Sequence, residues 1–181
     1  DLKIELLSLN NNEQMKALKK GDIDIAFTRH NFTSEEIEST FVLREPLMFI
    51  LPKDHPLAKY DRIPVKALNG IDFIIPSSEQ SYTLHHTILN FAKEYGIEFN
   101  IVQTADNILF NINSIGMGLG CTILPAYITP LSMDHSVVRP LNVELPQIDL
   151  YVSHRKDNTS NAVKRFMELL TRVFYLDFDR K

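Results

Sequence analysis

The segment Leu43–Leu57 constrains this chain more than any other. It is an apolar, strand-like run, Leu47-Met48-Phe49-Ile50-Leu51, closed by the turn His55-Pro56-Leu57. Upstream, Leu18-Lys19-Lys20-Gly21-Asp22-Ile23-Asp24-Ile25-Ala26 reads as the end of a helix, a glycine cap and a new strand. Pro46 interrupts strand pairing within the run Phe41–Leu51, which suits a place where the chain crosses between two lobes.

The rest of the chain continues this alternation. Lys3–Leu9 partly alternates and reads as a strand. Asn10, Asn11 and Asn12 can cap a short helix that ends at Gly21. The strand Ile23–Phe27 would complete a β-α-β unit with parallel strands. Pro64–Leu68 suits a short helix and Ile71–Ile75 a buried strand. Ser81–Tyr95 carries Leu84, Ile88, Phe91, Ala92 and Tyr95 at helical spacing and closes at Gly96. Phe99–Val102 reads as a strand, followed by a helix capped by Asp106 that carries Ile108, Leu109, Ile112 and Ile115. Strands follow at Cys121–Leu124, Val137–Leu141 and Ile148–Val152, then a long helix over Ser160–Phe174. Strands alternating with helices predict an α/β fold with mostly parallel sheets.

Bulk properties exclude several functions. A chain of 181 residues suits one domain or two small lobes. Its net charge of −4 argues against a fragment that grips nucleic acid by itself. No window reaches about 18 uninterrupted apolar residues, so no spanning helix is expected. The single cysteine, Cys121, rules out an intrachain disulfide and fits a reducing, cytoplasmic setting.

Catalytic and cofactor chemistry find little support. Gly116-Met117-Gly118-Leu119-Gly120 lacks the third glycine of a dinucleotide fingerprint, and it follows a helix where that fingerprint follows a strand. These glycines let a helix end turn sharply into a strand. The six histidines show no metal-ligand spacing, and adjacent His85 and His86 point about 100° apart on a helix. Cys121 sits in an apolar run and reads as a core residue. No Gly-x-Ser-x-Gly elbow is present. Asp22 and Asp24 suit a helix cap and a strand edge better than acid–base work. Neither an enzyme nor a bound cofactor or metal is expected.

Binding residues are easier to nominate. Arg29 follows the strand Ile23–Phe27, where carboxyl ends of parallel strands meet a ligand crevice. There it could fork onto a carboxylate, or equally lie solvated on the surface. Ser77, Ser78, Ser81, Tyr82 and Thr83 lie between a strand end and a helix start, where hydroxyls and free N–H groups favour an anion. Plain helix capping explains the same residues, and both readings can hold. Asn10–Asn12 occupy the equivalent place in the first unit.

Three motifs in order make the chain resemble the effector-binding domain of LysR-type transcriptional regulators. They are Leu18-x-x-Gly21-x-Ile23-Asp24-Ile25-Ala26, Glu45-Pro46-Leu47 with His55-Pro56-Leu57, and Ile115-x-x-Gly118-Leu119-Gly120-x-x-x-Leu124-Pro125. The resemblance spans essentially the whole chain. It implies two Rossmann-like lobes as in type 2 periplasmic binding proteins, with the effector in the cleft between them. Lobe one would be residues 1–45 plus 149–181, and lobe two residues 46–148. The usual first strand and helix of lobe one, and the N-terminal winged helix-turn-helix that would contact DNA, lie outside these residues. Effector contacts would fall at Asn10 and Asn11, at Thr28 and Arg29, and along Ser77–Thr83, with Asp106 and Asn107 as further candidates. Arg29 implies a small carboxylate effector. The resemblance also implies a homodimer or homotetramer with no membrane partner. A periplasmic solute-binding protein of the same bilobal fold is the alternative.

Overall fold

In the computed structural model, residues 3–130 and 134–178 are described, with side chains of the last helix followed to Phe174. The chain divides into two compact units, residues 1–44 with 149–181 and residues 45–148.

Unit one begins with helix α1, Asn11–Lys20. Its start is chemically marked. Asn10 Oδ1 accepts from the Glu13 N–H at 3.0 Å, and Glu13 Oε2 accepts from the Asn10 N–H at 2.9 Å. This reciprocal cap is worth about 1 kcal/mol. Its end is marked by Gly21, whose φ of 83° is left-handed. Strand β1, Ala26–Thr28, pairs antiparallel with β7, Gln147–Arg155. The first half of β2, Ile37–Pro52, also belongs to this unit. There the Ser39 and Ser153 hydroxyls share a hydrogen bond of 2.7 Å. Arg44 forks onto Asp149 at 2.7 and 3.2 Å, and the Tyr151 hydroxyl donates to the same carboxylate at 3.3 Å. Helix α4, Asn161–Phe178, buries Val163 and meets β1 edge-on through Phe166 and Phe27. A small core cluster of Leu18, Ala26 and Ile37 sits beneath α1.

Unit two holds the main core. The second half of β2 pairs antiparallel with β5, Thr122–Pro125, and with β6, Ser136–Val138. Strand β3, Asp72–Pro76, pairs parallel with β4, Asn100–Ala105. Helix α2, Tyr82–Tyr95, buries Leu84, Ile88, Phe91 and Ala92. Helix α3, Ile108–Gly116, packs against β3, β4 and β5. Phe73 is fully buried and stacks on Phe99 with ring centroids 4.0 Å apart. Two short 3₁₀ turns fill the loop before β3. In the first, Pro56–Lys59, His55 Nδ1 accepts from the Leu57 N–H at 3.1 Å, which explains the His-Pro-Leu turn.

Three expectations need correction. Lys3–Leu9 forms no strand, and Leu6 is 90% exposed. Alternation alone does not make a strand without a neighbour to complete its ladder, and no strand pairs with this segment among the described residues. The parallel β-α-β unit predicted there is therefore absent. Nor are the pairings mostly parallel: β1–β7, β2–β5 and β2–β6 are all antiparallel. Strand β2 runs through Pro46 unbroken, and the division between the units falls beside it, between Arg44 and Glu45. Pairing with β5 starts only at Leu47, so the missing Pro46 N–H costs that ladder nothing. Finally, the cap of α3 is Asn107, whose Oδ1 accepts from the Phe110 N–H at 2.8 Å, and not Asp106.

The glycine cluster is a packing device. A Cβ on Gly120 would lie 2.8 Å from the Asp72 carbonyl oxygen. That oxygen accepts from the Cys121 N–H at 2.8 Å, so only glycine lets the two segments approach.

Candidate functional site

The strongest concentration of ligand-binding groups lies in unit two, where β3 and β4 end side by side. Their parallel register pairs Pro76 with Ala105, which brings both carboxyl ends to one edge. Each strand then turns directly into a helix. The Ser77 N–H donates to the Ala105 carbonyl at 2.8 Å, tying the two turns together. The starts of α2 and α3 therefore come to one edge, with their partial positive charge. Crevices at the carboxyl ends of parallel strands are the usual ligand sites of such sheets.

The two helix starts are not equivalent. Asn107 caps α3 with its side chain. Ser81 occupies the same position on α2, yet its side chain makes no capping bond. Instead its backbone is held from both sides: its N–H donates to Ser77 O at 2.8 Å, and its carbonyl accepts from the His85 N–H at 2.9 Å. Ser77 is buried, and its hydroxyl accepts from the Glu79 N–H at 3.2 Å. Ser78 and Tyr82 are exposed, while Thr83 is half-buried. The Tyr82 ring lies 4.2 Å from that of His86, and His85 Nδ1 is 2.7 Å from the Pro76 carbonyl. Asp106 is exposed beside Asn107. Of the predicted residues, the fold thus gathers Ser77, Ser78, Ser81, Tyr82, Thr83, Asp106 and Asn107 at one edge of unit two.

Four predicted residues belong to unit one. Asn10 and Asn11 open α1, where the Asn10 side chain is engaged in the capping box. Thr28 is buried at the end of β1, and its hydroxyl donates to the His30 carbonyl at 2.8 Å. Arg29 follows, half-buried.

The sequence reading passed over Asn111. It is 1% exposed in the first turn of α3, and its Oδ1 has no hydrogen-bond partner among the described residues. Its signal was a carboxamide three residues after Ile108 and four before Ile115, on the apolar face.

Nucleophilic chemistry gains nothing from Cys121. Burial, followed by the nearby Asp72 charge, pushes its thiol up to about 12. Such a group is not a thiolate at neutral pH. Among the described residues, no group of three His, Cys, Asp or Glu side chains is placed to hold a metal. No described helix is long and apolar enough to cross a membrane.

Comparison with known proteins agrees with this architecture. The chain belongs to the family described as the LysR substrate binding domain, whose model matches residues 1–174. It is 33% identical over 170 residues to the Hca operon transcriptional activator HcaR of Escherichia coli (strain K12). That match covers 94% of this chain but 57% of HcaR, so the chain spans little more than half of that relative. Among solved structures, it is similar to the BenM effector binding domain with its effector benzoate, at TM-score 0.79 and 20% identity. That likeness covers 97% of this chain and 80% of the other. It is also similar to the effector binding domain of QuiR in complex with shikimate, at TM-score 0.79 and 22% identity over 92% and 78%. The fold is the periplasmic-binding-protein-like α/β fold of LysR effector-binding domains. The alternative of a periplasmic solute-binding protein gains no support from these relatives.

Proposed function

We propose that this chain is the effector-sensing part of a transcriptional regulator, and that its effector is a small organic anion. The observation that carries this reading is the edge of unit two, where two helix starts and the Ser77–Thr83 hydroxyls converge. Helix starts with nearby hydroxyl donors favour negative charge. The uncapped Ser81 leaves a hydroxyl at that edge that α2 does not use. Arg29, in unit one, carries a guanidinium of the kind that forks carboxylates. The BenM and QuiR effector binding domains bind benzoate and shikimate, both ring carboxylates.

The protein acts without catalysis, in the cytoplasm, and as at least a homodimer. DNA is contacted by a segment outside these residues, as the family membership and the net charge of −4 suggest.

A thermal-shift screen of the intact protein against small carboxylic acids tests the reading. A ligand at 100 times its Kd should add about 2.7 kcal/mol of stability. Stabilisation only by neutral or cationic compounds would sink the anion assignment.

A further inference from the structure

Asn111 carries chemistry that neither the fold nor the site described above uses. Its carboxamide is buried in the first turn of α3, on the face that also buries Ile112, Ser114 and Ile115. Its neighbour along that helix is fully satisfied. The Ser114 hydroxyl donates to the Phe110 carbonyl at 2.9 Å and accepts from Gln103 Nε2 at 3.0 Å. Asn111 Oδ1 has no donor among the described residues. An acceptor stripped of water without a partner costs about 1–3 kcal/mol, and native proteins seldom keep one. A buried acceptor that the chain itself leaves without a donor can take one from a bound molecule.

Position says which partner. Only Asp106 and Asn107 separate the end of β4 from α3, and Asn111 lies one helical turn further on. It therefore lies within about one turn of the helix start that meets the edge where Ser77 and Ala105 are tied together. A carboxylate cannot satisfy a carboxamide oxygen, since both only accept. A hydroxyl can.

We propose that Asn111 is a specificity-determining residue whose carboxamide oxygen accepts a hydrogen bond from a hydroxyl of the effector. The acid sensed by this chain is then a hydroxylated one. This rests on the reading of the chain as an organic-acid sensor and adds the second functional group. The carboxylate meets the helix starts and hydroxyls of unit two, and the hydroxyl meets Asn111.

The test uses the intact protein and acids in matched pairs: benzoate with 3- and 4-hydroxybenzoate, propionate with lactate, succinate with malate. Thermal shift finds the pairs that bind, and calorimetric titration measures them. In wild type, the hydroxylated member of at least one pair binds about ten- to a hundredfold tighter than its partner. In Asn111→Leu, close in size but without an acceptor, that preference disappears, and the ligand-free melting temperature holds or rises. The exposed neighbour Asn113→Leu changes neither quantity.

A preference that survives in Asn111→Leu would overturn the inference. So would a clear loss of ligand-free stability in that variant, because the amide would then be structural. The wild-type comparison stands on its own if the variant does not fold: acids that bind equally well with and without the hydroxyl remove Asn111 from the site and leave the organic-acid reading intact. If no acid binds, that reading falls, and this inference with it.

Discussion

The two units solve the burial problem differently. Unit two closes a large core around Phe49, Phe73, Ile74, Ile88 and Ile123, all fully buried. Among the described residues, unit one has a smaller core, the cluster Leu18, Ala26 and Ile37 with Val42, Val152 and Val163 also buried, and leaves Ile4, Leu6 and Leu7 exposed. Polar devices take over much of the work there. The α1 capping box, the Ser39–Ser153 bond and the Arg44–Asp149–Tyr151 group each fix a segment of this unit. A tightly packed scaffold positions groups more sharply than a loosely packed one. The candidate edge of unit two stands on such a packed scaffold.

The comparison breaks most directly at the cores. Phe73→Ala removes a ring that is fully buried and stacked on Phe99, and should cost about 3–5 kcal/mol. Leu18→Ala, equally buried in the small cluster, should fall near the low end of the range for such truncations, about 2–3 kcal/mol. A thin surround can relax around the space. Urea unfolding of the intact protein, followed by far-UV circular dichroism, measures both. Equal losses would mean that the cores are equally rigid.

The ligand separates the units in another way. Arg29 lies in unit one, and the Ser77–Thr83 segment with the starts of α2 and α3 lies in unit two. Arg29→Ala should weaken effector binding by about one to two orders of magnitude, the worth of a charge-assisted hydrogen bond. Calorimetric titration with the acid found by screening reads it, and unchanged affinity would leave the recognition to unit two.

Acid should affect the polar half selectively. The hydrogen bond from Arg44 holds the Asp149 carboxyl below the usual carboxylate range. A carboxyl with a depressed native pKa adds stability that is present above its unfolded pKa and is lost as pH falls through the native one. The stability gap between wild type and Arg44→Gln should thus be present above about pH 5 and fade below about pH 4. Because Arg44 is exposed, the gap should also shrink in high salt. Urea midpoints at several pH values test this, and a gap that grows on acidification would contradict it.

How much of this was legible beforehand follows the same division. Helix α2 was readable because Leu84, Ile88, Phe91 and Ala92 repeat at helical spacing and Gly96 ends it. The Gly116–Gly120 turn was readable because it lacks the order of a nucleotide loop. Lys3–Leu9 misled because alternation reports a pattern and not a partner. Antiparallel pairing of β2 with β5 and β6 was invisible, since each partner lies some 70 to 90 residues away in sequence. At the site, the cluster from Ser77 to Thr83 was legible from its place between a strand and a helix. Asn111 was not, because burial without a partner is a property of three-dimensional packing.

The finest distinction lies between the two helix starts of unit two. Asn107 and Ser81 are both cap residues by position, and sequence alone treats them alike. The Asn107 side chain accepts from Phe110, whereas the Ser81 side chain caps nothing. Asn107→Ala should therefore lower stability by about 1 kcal/mol, and Ser81→Ala should change it by only a few tenths. Binding should report the opposite order. The Ser81 hydroxyl is not used by the helix, so on the proposed reading its loss should weaken the effector by roughly 0.5–1.5 kcal/mol, the net worth of one neutral hydrogen bond. Asn107→Ala should affect affinity less, because its carboxamide oxygen is already engaged in the cap. Thermal unfolding and calorimetric titration of both variants give the four numbers. Should Ser81→Ala lose stability instead of affinity, the start of α2 would be an ordinary capped helix, and the donors for the anion would have to come from Ser77, Ser78 and Thr83.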